Sequence, residues 1–270
     1  MVLLRSGYGG GPMESALVVV GCAVLGLLIG SFLTVVVDRV PEGRSVVAPP
    51  SACGACGHRL TALDLVPVVS WVALRGRCRH CGARIGAEPL VLEGVNTALF
   101  VAMAVHFGAD PVLPAFLVLS AALVALVWID LREFRLPREI TYTAIGLSAP
   151  VIVVAALADE APERIWRAAL GACIALAIML AIYLISRGGM GDGDVRLAPL
   201  LGLHLGYLDP AIVPIGLFLG FALGAIAGIV AMLVGKAGRK TALPFGPFLA
   251  AGTVAAIWVG DALLDVILQR

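Results

Sequence analysis

Charge is scarce in this sequence. Only 14% of its 270 residues are charged and 6% are aromatic, against 60% apolar, and the mean hydropathy is +1.02. A water-soluble domain of this length cannot hide so much apolar side chain, so the composition excludes an ordinary globular protein and makes lipid the solvent. The net charge of +1 supplies no basic field for holding nucleic acid. Lysine is nearly absent, standing only at positions 236 and 240. No Gly-rich nucleotide loop follows a strand-like segment, and there is no internal repeat or low-complexity tract. The first apolar run is too long for a signal-peptide core, so no cleavable signal is expected.

What is present is a series of apolar runs, each near the roughly 20 residues that a helix needs to cross the hydrocarbon layer. Eight spans are expected, at residues 16–37, 90–107, 112–131, 140–157, 165–185, 195–208, 211–234 and 244–266. The sixth is short. Fifteen of the nineteen basic residues fall on one side of such a topology: seven between Arg39 and Arg84, then Arg132, Arg135, Arg138, Arg187, Arg196, Lys236, Arg239 and Lys240. The opposite loops carry Asp110, Asp159, Glu160, Glu163 and Asp209. The positive-inside rule then places the basic loops in the cytoplasm and both termini outside. Glycines four apart, at 26 and 30 and again at 216, 220, 224 and 228, line single helix faces and predict close helix packing. Cys22 and Cys173 sit in apolar runs and read as packing residues.

The largest extramembrane segment, residues 38–89, carries Cys53-x2-Cys56 and Cys78-x2-Cys81, separated by 21 residues. Two such knuckles have the spacing of a four-sulfur zinc site that clips a small domain, each giving two thiolates to one tetrahedral ion. Neighbouring arginines favour the thiolate, and a cytoplasmic placement disfavours disulfides. The competing reading is a redox dithiol pair. His58 and His80 lie beside the knuckles and are not needed as ligands once four sulfurs complete the shell.

Three aspartates stand at expected span ends on the basic face: Asp130 in Val-Trp-Ile-Asp-Leu-Arg, and Asp192 and Asp194 in Gly-Met-Gly-Asp-Gly-Asp-Val-Arg. A carboxylate in a membrane helix costs about 2.5–3.5 kcal/mol at the centre on insertion scales and is kept mostly for function. Two carboxyls held close share a proton, so one takes a proton from water while the other polarises a peptide carbonyl. An ion- or proton-coupled transporter site uses the same residues. So do a helix cap at Asp192 or Asp194 and an arginine-paired anchor at Asp130. Spacing does not choose among these readings, nor between Asp192 and Asp194.

Gly30-Ser31-Phe32-Leu33 through Arg39 and Pro41, the four-cysteine loop, Leu65-Val66-Pro67 through Arg79, Gly191-Asp192-Gly193-Asp194 and Pro244-Phe245-Gly246-Pro247-Phe248 occur here in that order. Together they resemble the bacterial type IV prepilin peptidases over nearly the whole chain. The resemblance implies a membrane aspartyl protease of the GxGD type with catalytic Asp130 and Asp194, leaving Asp192 as the variable residue of the motif. It implies zinc on Cys53, Cys56, Cys78 and Cys81. It also implies removal of the basic leader from prepilins and pseudopilins at the cytoplasmic membrane face. Family members with the cysteine loop often also methylate the new N-terminus from S-adenosylmethionine. Thr34 stands where the family usually has Asn, Gly54 where Pro is common and Arg196 where Lys is usual. Glu93 falls one position later than the family pattern, and Leu136-Pro137-Arg138 lacks the acidic or amide residue that often follows the proline.

The expected protein is thus an all-α, multi-pass protein of a bacterial inner membrane. Its parts are an outer tail (1–15), a first span (16–37), a four-cysteine zinc loop (38–89) and a seven-helix protease core (90–270). Its partners are prepilin or pseudopilin substrates of a type IV pilus or type II secretion system and membrane lipid, with no nucleic acid. The rivals are a peptidase that does not methylate, a proton- or ion-coupled transporter, and a non-enzymatic assembly factor docking through the zinc loop. The transporter lacks the inverted repeat and matched broken helices expected of it.

Overall fold

The computed structural model describes residues 11–186, 189–234 and 243–267. Among these the backbone is helical almost throughout, and its β pairing is limited to two isolated bridges. The helices are α1 (Pro12–Arg39), α2 (Val69–Ala73), α3 (Glu88–Phe107), α4 (Leu113–Glu133), α5 (Arg138–Ala158), α6 (Glu163–Ser186), α7 (Asp192–Leu208), α8 (Ile212–Leu233) and α9 (Gly246–Ile267), with a 3-10 turn at Ala62–Leu65. Seven of them are long and apolar enough to cross a membrane. The expected sixth span, α7, has 17 residues, or about 25 Å at 1.5 Å per residue, somewhat less than the hydrocarbon thickness. Arg187, Lys236, Arg239, Lys240 and the first ten residues of the expected tail lie outside the described residues. Helix α1 starts at Pro12, earlier than the expected residue 16, because Pro pre-sets the first helical turn and Glu14 complements its dipole.

The chain forms two compact units, one ending at Leu113 and the other beginning at Pro114. In the first, α1 packs on α3. A Cβ on Gly26 would lie 2.8 Å from the Thr97 Cα, and one on Gly30 would lie 2.6 Å from the Glu93 Cα. Rising numbers on α1 thus meet falling numbers on α3, and the pair is antiparallel. The amide of the fully buried Asn96 donates to the Gly26 carbonyl at 2.8 Å, locking this contact. Between the two helices the loop folds on itself. At the 3-10 turn, Thr61 N–H and Oγ1 donate to Asp64 Oδ2 at 3.0 and 2.7 Å, and Arg79 Nε donates to Oδ1 at 2.8 Å. These bonds, Thr61 first, hold the Asp64 carboxyl well below the usual range.

In the second unit α7 is the hub, packing against α5, α6, α8 and α9. Ten of its residues are buried, His204 completely. The His204 ring reaches α4 through Nε2, 3.1 Å from the Ala115 carbonyl, and lies edge-on to Phe116. Sequence reasoning did not single out the seam that holds α7 to α6. A Cβ on Gly202 would fall 2.3 Å from the Gly171 oxygen, and one on Gly206 would fall 2.6 Å from the Arg167 oxygen. The expected glycine face on α8 does pack as anticipated, with Gly216 and Gly220 against Gly252 of α9. At the far end of α7, Arg167 donates to the Leu208 carbonyl and to Asp209, each at 2.8 Å. Arg164 donates to Asp159 and to Tyr207 there.

Two measurements test this packing. Gly202→Val inserts a branched side chain against backbone that cannot yield, so the melting temperature in detergent falls, reflecting about 1–3 kcal/mol of overpacking or more. Gly146→Ala on α5, which has nothing within 4 Å of an added Cβ, leaves melting unchanged or raises it. For the loop, the depressed Asp64 value means that its stabilising effect is full above about pH 4 and fades as acid protonates the folded carboxylate. Hydrogen exchange at residues 61–65 therefore separates wild type from Asp64→Asn near neutral pH, and the gap closes as the pH falls below about 4.

Candidate active site and metal centre

The second unit gathers both of its buried acids at one end. Asp130 lies three residues from the end of α4 and is 5% exposed; Asp194 is the third residue of α7 and is 7% exposed. The N-terminus of α9 meets Asp130 directly, since the Gly246 N–H donates to Oδ2 at 2.8 Å. The same end of α9 carries the partial positive charge of a helix start, which suits a carboxylate in a low-dielectric place. Gly246 is needed for this approach, because a Cβ there would sit 2.9 Å from the same carboxylate oxygen. Sequence reasoning placed Gly246 in a final-helix motif without giving it this role; the signal available was a glycine at a helix start.

Leu136, in the short link between α4 and α5, ties the acids together. Its Cβ lies 3.0 Å from where a Cβ of Gly193 would be, and its Cδ2 lies 3.1 Å from that of Gly246. One side chain thus reaches both the turn that bears Asp194 and the glycine that binds Asp130. The link bends at Phe134, whose φ of 54° is in the left-handed region. Helix α7 begins three residues earlier than expected, so Asp192 and Asp194 both fall in its first turn. Gly191 is the cap residue, with no side-chain capping bond, so neither acid occupies the cap position itself. Asp192 is instead 62% exposed and paired with Arg196 one turn on. Asp130 has a backbone partner in the Gly246 N–H, and among the described residues no arginine pairs with it.

In the first unit the four loop cysteines converge. Their Sγ atoms all lie within 4.8 Å of one another, with Cys53 and Cys81 3.9 Å apart. A tetrahedral ion with zinc–sulfur bonds of about 2.3 Å requires sulfur pairs about 3.8 Å apart, so the cluster fits a single closed site. The two knuckles are built alike. Gly57 N–H donates to the Cys53 carbonyl and Gly82 N–H to that of Cys78, with both glycines at φ +70°. The bridges Ala52–Arg59 and Arg77–Arg84 close each knuckle. Backbone N–H groups of Cys56 and Ala55 draw the Cys53 thiol down to about 6. The Cys81 thiol is pushed up to about 11: the Ala83 N–H favours its thiolate, but hydrogen bonding with the sulfur of Cys56, burial and the sulfurs of Cys78 and Cys53 outweigh it. Four sulfurs this close cannot all carry charge unless a cation balances them. The His58 and His80 rings stack on each other with centroids 3.4 Å apart.

A cavity of about 480 Å³ adjoins the knuckles. It is walled by Ser31 and Thr34 of α1, by Asp64, Trp71 and His80 of the loop, and by Pro89 and Glu93 of α3. Glu93 is buried and accepts the Val68 N–H at 2.7 Å, which holds Val68 at a φ of 59°. Sequence reasoning left both the cavity and the role of Glu93 unassigned, because they arise from three segments distant in sequence.

Comparison with known proteins agrees with this division. Residues 24–107 match the family model described as Bacterial Peptidase A24 N-terminal domain, and residues 117–229 match the Type IV leader peptidase family. A Bacillus subtilis protein named prepilin leader peptidase/N-methyltransferase is 30% identical over 90% of this chain and 94% of its own length. Proteins of the same name from Burkholderia pseudomallei and Pseudomonas putida are 34% and 33% identical, over 88% and 93% of this chain and 84% and 94% of their own lengths. No solved structure matches. With two acids at one end of its second unit, a four-cysteine cluster in its first, and this similarity from end to end, the chain belongs to the type IV leader peptidase family.

Proposed function

We propose that this protein is a membrane aspartyl endopeptidase that removes the leader of type IV prepilins and pseudopilins and then methylates the new N-terminus. The observation that carries the peptidase reading is the pairing of Asp130 and Asp194 in one buried place, bridged by Leu136 and served by the N-terminus of α9. One carboxylate takes a proton from water as its oxygen attacks the scissile carbonyl, and the other, protonated, donates to the carbonyl oxygen. Collapse of the tetrahedral species breaks the C–N bond as a proton passes to the leaving amine, with no covalent enzyme intermediate. The Gly246 N–H fixes the Asp130 carboxyl so that little reorganisation is needed. The basic loops face the cytoplasm, where the cut is made, and both termini face outward.

Zinc on Cys53, Cys56, Cys78 and Cys81 holds the loop together as a structural ion. S-adenosylmethionine supplies an electrophilic methyl group when bound. The cavity beside the knuckles fits it in size. The Glu93 carboxylate suits its cationic groups, and the Trp71 indole suits its adenine.

Detergent-purified protein incubated with a candidate prepilin and S-adenosylmethionine, and read by intact mass spectrometry, tests the activities. The wild type removes the leader and adds one methyl mass. Asp130→Asn and Asp194→Asn each lose cleavage by at least about a thousandfold, as expected when a group essential to proton transfer is removed. Cleavage that survives in either variant defeats the dyad, and cleavage without the methyl mass leaves a peptidase alone. Elemental analysis of the same sample finds one zinc per chain. Replacing Cys53 and Cys56 together by Ser removes the zinc and opens residues 51–60 to protease, whereas metal-free wild type with an intact loop would end the zinc reading.

A further inference from the structure

The first unit also exposes a run of aliphatic side chains, of which Leu65 alone borders the cavity beside the knuckles. Between residues 63 and 72, Leu63, Val69 and Val72 are 71%, 62% and 58% exposed, and Leu65 and Val66 are open as well. The 3-10 turn and α2 pack on each other, with Val66 in the link between them, so the five are neighbours in one compact stretch of the loop. A soluble loop rarely shows this much aliphatic surface without a partner.

The position of the segment identifies the partner. Val68, in its middle, donates its N–H to Glu93 at 2.7 Å. Glu93 is the sixth residue of α3, about 7.5 Å along the axis from the start of that helix. Helix α3 has 20 residues, about the 30 Å of the hydrocarbon layer, so its full length is required to cross. Val68 is therefore tethered beside a membrane helix at or below the level of the headgroups. The exposed Arg75, Arg77 and Arg84 follow the apolar run, as lysines and arginines follow apolar segments that lie in anionic interfaces.

We infer that residues Leu63–Val72 form a wedge that inserts into the interfacial layer of an anionic bilayer beside α3. The wedge anchors the cysteine loop to the lipid surface at a point between its two knuckles. Lipid, not another protein surface, covers the five aliphatic side chains. This does not depend on the peptidase reading, since it rests on the depth of Glu93 and on exposed surface in the first unit alone.

The test places benzoylphenylalanine singly at Leu63, Val69 or Val72 in the full chain, reconstituted in nanodiscs of phosphatidylglycerol and phosphatidylcholine. The samples are illuminated and analysed by mass spectrometry for covalent adducts. Leu28, on the exposed face of α1 within its span, is the lipid-facing control, and Arg59, exposed on the first knuckle, is the water-facing one. The wedge predicts phospholipid adducts at two or more of the three positions, at a yield comparable with Leu28 and well above Arg59. Cross-links from these positions to another peptide of this chain would show a protein-covered surface and overturn the inference. So would the absence of lipid adducts at all three while Leu28 captures lipid. Because three positions are probed separately, loss of one variant through misfolding leaves the outcome decided.

Discussion

The second unit depends on removing a short, partly charged helix from lipid. Helix α7 has 17 residues, and its first turns carry Asp192, Asp194 and Arg196. Exposed to hydrocarbon, such a helix would leave polar groups unsatisfied. It is instead enclosed by α5, α6, α8 and α9, with α4 reached through His204. In a bilayer there is little hydrophobic force between helices, so close backbone contact must supply the attraction. The glycines supply it. Gly171, Gly202 and Gly206 bring α6 and α7 together, and Gly216, Gly220 and Gly252 bring α8 to α9.

Once α7 is seated, the acids follow. The start of α7, the start of α9 and the end of α4 come to one end of the unit, so Asp194, Gly246 and Asp130 meet there. Leu136 packs against both Gly193 and Gly246 beside the acids without adding a charge. The start of α9 points at a carboxyl and so stabilises a buried acid. The exposed Asp192 behaves differently at two residues' distance, paired with Arg196 on the open side of the same helix end.

The first unit solves a different problem. A loop of some fifty residues between α1 and α3 is too small to build a sizeable core. Its order comes from local devices: two alike knuckles that bring four sulfurs together, the Thr61–Asp64–Arg79 network, and the bond from Val68 to Glu93. The last device carries the loop down beside α3. It sets both one wall of the cavity and the place of the exposed aliphatic run.

The sequence by itself determined the membrane class, seven of the spans to within a few residues, the pairing of the cysteines into two knuckles, and the family. These follow from local patterns: apolar run length, CxxC spacing and motif order are written along the chain. It also marked Asp130 and Asp194, but from the residues alone their role was open among an acid pair, an ion- or proton-coupled transporter site, a helix cap and an arginine-held anchor. Only the tertiary structure decided that Asp192 faces outward, that the Gly246 N–H binds Asp130, and that Leu136 packs against both Gly193 and Gly246. The α6–α7 seam, the buried His204 and the cavity beside the knuckles were likewise illegible. Each is made by residues far apart in sequence, and nothing in a one-dimensional pattern says which helix faces will meet.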